Sequence, residues 1–232
     1  MSDNFKVIRK LPGIYIYEIP TLSEVTAEML RDFNWPPGIT SAGFMAKQFC
    51  PQVVTEEQIP ERYNARIVYS ADKGGIVVPA CGAPGATAVC CEVGKNLQEF
   101  KTIFLETHKV YFQTWGDKVG AGLMSDVVDV AENSLPGAKH LYLECSGLAA
   151  GVAAIIKWKD VRGEPVDWIP WVWIASELPK EVRESVRTRI ADWMQKNVDG
   201  KVQCAIDAFN VRSQKFFIKL GFFPQCIYIG KP

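Results

Sequence analysis

At 232 residues and 25.9 kDa, with 48% hydrophobic and 22% charged residues, the chain can bury a sizeable core and is not disordered. Basic and acidic residues balance at 26 each and no basic stripe stands out, which argues against nucleic acid as a primary partner, since a phosphate backbone demands positive surface. No apolar run is long enough to span a bilayer, and the start Met1 to Lys6 lacks the charged-then-apolar pattern of a signal peptide, so the expectation is a cytoplasmic protein with no membrane partner.

In chain order, Lys6 to Arg9 and Ile14 to Ile19 read as two strands joined at Leu11-Pro12-Gly13. Leu22 to Phe33 reads as a helix capped by Thr21 or Ser23, and Trp35-Pro36-Pro37-Gly38 breaks the chain after it. Ala65 to Ser70 and Gly75 to Pro79 suggest a hairpin across Ala71 to Gly75. Cys81 to Gly85 is then the expected boundary between an N-terminal region, 1–85, and a main domain, 86–232.

After Gly85 the order becomes regular. A strand over Ala86 to Val93 leads into a helix over about Asn96 to Phe112, in which Leu97, Phe100, Phe104, Tyr111 and Trp115 lie close to one face. A second helix, about Gly122 to Asn133, precedes the turn Leu135-Pro136-Gly137. Strands follow at His140 to Cys145, Gly151 to Lys159 and Asp167 to Ala175. The clearest helix is Lys180 to Asn197, with Val182, Val186, Ile190, Trp193 and Met194 on one stripe. A strand over Val202 to Ala208, a short helix and a strand over Pro224 to Ile229 complete the order β-α-α-β-β-β-α-β-α-β. Asn210 is a good N-cap for the short helix, and Gly221 stands where it needs positive φ to stop.

None of the seven cysteines (50, 81, 90, 91, 145, 204, 226) forms a C-x-x-C pair, so a zinc site is poorly supported and reduced, mostly buried thiols are expected. His108 and His140 stand far apart without metal spacing and read as packing or surface residues. The segment Gly116 to Gly122 lacks the Gly-Lys-Ser/Thr ending of a phosphate loop and follows a helix rather than a strand. No G-x-S-x-G elbow is present, so a triad hydrolase is not supported.

Read from Asn210, the C-terminal segment spells N-x-x-S-x-x-F-F-x-K-L-G-F and resembles the closing motif of the GNAT N-acetyltransferase superfamily. That resemblance covers about residues 86–232. It implies an α+β fold, a mixed and mostly antiparallel twisted sheet flanked by helices, with a smaller N-terminal α/β region. It implies a co-substrate, acetyl-CoA or another acyl-CoA, entering beside the strand that ends at Ala175. The partner it implies is a small-molecule or protein amine as acceptor, with a homodimer left open.

The family's pyrophosphate loop, Q/R-x-x-G-x-G/A, has its best match at Arg183 to Thr188, where Val186 and Thr188 take the glycine positions. Arg183, Arg187 and Arg189 could then supply the positive charge, or simply form a solvated helix face with Glu184 and Asp192. Asn210 and Ser213 match the family's polar positions near the pantetheine arm, with helix capping as the local alternative. Phe217 stands where the family usually places a proton-donating Tyr, and a phenyl ring donates nothing. Glu177 and Asp167 flank the central strand, and Glu144 lies on an earlier one, as candidate general bases, with an ordinary surface or capping carboxylate as the plainer reading of each. Trp171 and Trp173 are expected on one face of that strand and Trp168 on the other, as core or as walls of an apolar pocket. The resulting expectation is acyl transfer from acyl-CoA to an amine. Its rivals are a GNAT-fold CoA-binding or interaction module without activity, and an acyltransferase using a non-CoA donor.

Overall fold

In a computed structural model the described residues are 5–48, 53–54, 58–59, 63–80, 90–119 and 123–231. The expected boundary at Cys81 to Gly85, the start of the strand over Ala86 to Val93, and Cys50 lie outside them. The chain forms two compact units: Met1–Ala71 with Cys204–Pro232, and Asp72–Gln203. The first unit therefore draws on both ends of the sequence rather than on a single N-terminal stretch.

In that unit β1 (Lys6–Leu11) and β2 (Ile14–Ile19) form an antiparallel hairpin turned by Gly13, whose φ of 72° suits a residue without a Cβ. β2 pairs in parallel with β3 (Ser41–Ala46), an uninterrupted apolar run with no period-2 alternation and no counterpart in the sequence reading. The last strand, β11 (Phe223–Gly230), lies antiparallel between β3 and β4 (Ala65–Asp72). Its Cys226, Ile227 and Ile229 are fully buried, as a central strand requires. The chain's C-terminal strand is thus the middle of a sheet built from N-terminal strands. The expected helix Leu22 to Phe33 is instead a single 3-10 turn, Leu22–Glu24, followed by α1 (Ala27–Arg31). Thr26, extended and accepting from Met29 N–H, starts the helix late.

In the second unit β5 (Cys90–Glu92), β6 (Lys139–Cys145), β7 (Leu148–Lys159) and β8 (Pro165–Trp168) run antiparallel in that order, and β8 pairs in parallel with the first residues of β10 (Lys201–Asp207). α2 (Leu97–Trp115) opens on a capping box between Asn96 and Glu99, and α3 (Leu123–Asp129) continues as one π-turn over Val130–Ser134. Phe100, Phe104, Ala131 and Leu135 from this layer bury against Val152 and Ala154 of β7. Gly151, one residue before Val152, faces the opposite side of the strand, where α4 (Lys180–Asn197) packs so closely that a Cβ on Gly151 would stand 2.7 Å from Val186 Cγ1.

The expected hairpin across Ala71 to Gly75 does not form. β4 runs on to Asp72 and passes into a 3-10 turn at Lys73–Gly75; Lys73 N–H then bonds Gly200 carbonyl. The single strand expected over Asp167 to Ala175 is also broken, into β8 and β9 (Val172–Ile174), both on the same edge of β7. Pro170, which has no N–H to give a ladder, sits in the break, and Ile169 N–H turns instead to Gln203 carbonyl. The fold class is as expected: mixed α and β, with mostly antiparallel open sheet flanked by helices, and parallel pairing at β2/β3 and β8/β10. Among the described residues no helix is long and apolar enough to cross a membrane.

Candidate functional site

The polar groups that a chain leaves open are where its chemistry is sought, and β9 leaves several. Trp173 pairs with Val152, Trp171 carbonyl accepts from Ala154 N–H, and Ala175 N–H donates to Ala150 carbonyl at 3.0 Å. In an antiparallel ladder alternate residues face the neighbour, so the N–H and C=O groups of Val172 and Ile174 point away from β7. Among the described residues β9 pairs with β7 alone. Ala175, at the end of the strand beside which the co-substrate is expected and itself expected to contact it, has its N–H committed to β7; the outward donors are Val172 and Ile174.

From Ala175 the chain passes through Ser176 to Pro179 into α4. Pro179 is the N-cap and offers no side-chain acceptor, so the N–H groups of Lys180, Glu181 and Val182 begin the helix uncapped, Arg183 N–H being the first to bond back, to Pro179 carbonyl at 3.0 Å. Arg183 folds over this turn. Its Nη1 donates to Ser176 carbonyl at 2.8 Å, and among the described residues its buried Nε has no hydrogen-bond partner, nor has Ser185 Oγ. Glu177 is exposed beside it and accepts from Ser176 Oγ at 2.6 Å; that bond is the main reason its carboxyl lies below the usual value. A carboxylate so stabilised is a weak proton acceptor.

Val186 and Thr188 lie inside α4, not in a loop before it. Val186 is fully buried against Gly151, and Thr188 Oγ1 bonds back to Glu184 carbonyl at 3.1 Å. Their own N–H groups belong to the helical ladder and are closed to a phosphate. What fits a pyrophosphate here is the first turn: three uncapped N–H groups at the start of an 18-residue helix, the orphaned Arg183 Nε, and Lys180. Glu181 in the same turn opposes that charge.

Asp167 belongs elsewhere. It is 3% exposed, and its oxygens are taken by Lys157 Nζ at 2.7 Å and Asp199 N–H at 2.7 Å. With both oxygens engaged it ties β8, β7 and the turn after α4 together, and it is not placed as a free base. Asn210, Ser213 and Phe217 lie in the first unit. Asn210 Oδ1 caps α5 (Val211–Lys219) by accepting from Ser213 N–H at 3.1 Å. Phe217 is 5% exposed, its ring edge-on to Phe216 and Phe222 at 5.1 and 5.0 Å, so it packs as core.

One group that the sequence reading set aside stands beside the β8–β9 break. His108, on α2, stacks on the Trp171 indole with ring centroids 3.6 Å apart, and Trp171 Nε1 donates to Thr107 Oγ1 at 2.9 Å. His108 Nδ1 lies 2.8 Å from Phe104 carbonyl, an acceptor, so Nδ1 carries the proton and Nε2 its lone pair. Burial lowers the imidazole to about 4, against a smaller opposing effect of that carbonyl bond. It is therefore a neutral hydrogen-bond acceptor at ordinary pH rather than a strong base. Its place on α2, opposite a strand break 63 residues later, has no signature in linear spacing (171 − 108 = 63). Among the described residues no group of His, Cys, Asp and Glu could hold a metal ion.

Neither a protein-family model nor a curated protein matches the chain. Among solved structures it is similar to a functionally unknown conserved protein from Staphylococcus epidermidis, at 10% identity over 97% of this chain and 93% of that one, TM-score 0.44. It is similar also to a GCN5-related N-acetyltransferase from Kribbella flavida, at 16% identity over 83% of this chain and 68% of that one, TM-score 0.41. A tandem GNAT protein from the clavulanic acid biosynthesis pathway aligns at 14% identity over 83% of this chain and 63% of that one, TM-score 0.44. With identities this low and TM-scores under 0.5, the chemistry rests on this chain's own residues.

Proposed function

We propose that the chain binds an acyl-CoA thioester beside β9 and the first turn of α4 and transfers the acyl group to an amine. The observation that carries this reading is the outer edge of β9, unpaired among the described residues, with Val172 and Ile174 N–H facing away from β7 next to an uncapped helix start. An acyl carbonyl oxygen accepting from those N–H groups gains charge stabilisation as the amine attacks. The C–N bond forms, the C–S bond breaks, and the proton lost by nitrogen passes to the departing thiolate. Water carries that proton. Arg183 and the first-turn N–H groups would hold the phosphates. His108 Nε2 would orient the incoming amine by accepting one of its N–H bonds, and Trp171 and Tyr111, edge to face at 5.6 Å, suit a flat or apolar acceptor.

A melting experiment tests binding. Acetyl-CoA at about 100 times its Kd should stabilise the protein by roughly 2.7 kcal/mol, and Arg183→Ala should weaken affinity about tenfold, roughly 1.4 kcal/mol. No shift with millimolar acetyl-CoA, and no CoA retained on gentle purification by mass spectrometry, would remove the reading. A second reading, CoA binding without transfer, is favoured by the engaged oxygens of Asp167 and by the apolar burial of Phe217. A thermal shift without thiol release across a panel of amines would select it.

A further inference from the structure

Cys90 and Cys145 face each other across β5 and β6, and both are free thiols. The register Cys90↔Cys145, Cys91↔Glu144, Glu92↔Leu143 continues to Val93, whose N–H bonds Tyr142 carbonyl at 3.0 Å. That bond makes Val93/Tyr142 a hydrogen-bonded pair, so alternation makes Cys91/Glu144 another and Cys90/Cys145 a non-hydrogen-bonded one. At such positions Cα atoms stand about 4.5 Å apart with side chains on one face, inside the roughly 4.4–6.8 Å span a disulfide requires. Cys145 stands close enough to act on the Cys90 thiol, raising it in the same sense as burial. Cys90 is 1% exposed and Cys145 8%. Cys91, next in sequence, points to the other face and contacts Glu144 carbonyl.

We propose that Cys90 and Cys145 are a site of reversible oxidative modification, closing a cross-strand disulfide between β5 and β6 when the protein meets a hydroperoxide. The thiolate of Cys145, the less buried residue, attacks one peroxide oxygen; the O–O bond breaks, hydroxide leaves, and a sulfenic acid forms. Cys90 sulfur then displaces the sulfenic oxygen as water. Two thiols and one hydrogen peroxide give one disulfide and two waters; two electrons pass from sulfur to oxygen, and a dithiol reductant reverses the change. Burial pushes the Cys90 thiol up to about 11, with the Arg189 guanidinium acting in the opposite sense, so bond closure is slow unless the facing sulfur has already been oxidised. The bond would staple the three-residue strand β5 to its neighbour without moving the backbone register.

The test is peptide mapping of the full chain after treatment with hydrogen peroxide, using a Cys91→Ala variant so that the linked residue is unambiguous. The expected product joins the Cys90 and Cys145 peptides at about 2 Da below their summed mass, returns to free thiols with dithiothreitol, and melts several degrees higher than the reduced protein. Cys145→Ser and Cys90→Ser should each abolish the linked species. Separate alkylation of Cys90 and Cys145 after peroxide, or oxidation that halts at a sulfinic acid on either residue, would overturn the proposal.

Discussion

Two strand-to-helix junctions in this protein end in opposite states. Where β10 turns into α5, Asn210 caps the helix and Gln214 in its second turn is fully buried. The Gln214 carbonyl accepts from Val54 N–H at 2.9 Å and from Tyr69 Oη–H at 2.7 Å; its amide donates to Val54 and Ala208 carbonyls at 2.9 and 2.7 Å. Every polar position of that side chain is used. Where β9 turns into α4, the N-cap is a proline, and among the described residues the edge N–H groups of Val172 and Ile174 meet no strand and the buried Arg183 Nε has no hydrogen-bond partner. Backbone and guanidinium donors are obligatory hydrogen-bonding groups, so the first junction reads as structure, while the second leaves donors open, as the proposed acyl-CoA site requires.

The largest expected effect comes from the closed junction. Gln214→Leu keeps the side-chain bulk but strands the Val54 N–H and C=O, the Ala208 C=O and the Tyr69 hydroxyl, each costing about 1–3 kcal/mol when buried unpaired. A loss of roughly 4 kcal/mol or more in urea unfolding is expected. A loss under about 1 kcal/mol would mean the junction is held by packing alone, and the contrast with α4 would weaken.

A second test concerns how each unit meets acid. Gln214 is an amide and does not titrate, whereas in the other unit the buried polar group His108 does. Its folded pKa, about 4, lies below its ordinary 6.5 because burial disfavours the cation. As pH falls, the unfolded chain takes the proton first; stability fully present above about 6.5 is therefore lost progressively toward pH 4, by on the order of 3 kcal/mol. His108→Gln should flatten that part of the stability profile while leaving its shape above pH 7 alone. Equal slopes in the two proteins would show that the imidazole is protonated within the fold.

Much of this arrangement was legible in the residues. Periodicity placed the helix Lys180–Asn197 and the capping chemistry of Asn210 and Gly221, whose φ is 86°, because local rules decide amphipathic helices and their ends. β3 was not legible, since a strand buried on both faces loses its alternation, and neither was the insertion of β11 between β3 and β4, which is a long-range pairing. In the site, Arg183 was legible as a charge near a helix start. The shift of the open donors from Ala175 to Val172 and Ile174 was not. It depends on ladder phase, and Pro170 resets that phase within what reads as one strand. His108 was invisible for a similar reason: its tautomer is set by the Phe104 carbonyl and its position by Trp171, partners known only after folding.

The smallest effects exchange the two helix starts. Asn210→Ala removes the acceptor for Ser213 N–H and should cost about 1 kcal/mol, the usual worth of an N-cap. Pro179→Asp does the reverse, placing a carboxylate where α4 has no cap. With no ligand it should stabilise by roughly 0.5 kcal/mol, the new cap offset by the looser unfolded chain. In the presence of acetyl-CoA the sign should turn: a carboxylate capping the first-turn N–H groups competes with phosphate for the same donors and repels it, so the ligand-induced rise in Tm should shrink. If the variant keeps the full acetyl-CoA shift, the helix start is not where the phosphates bind, and the uncapped turn of α4 is merely an unfinished end.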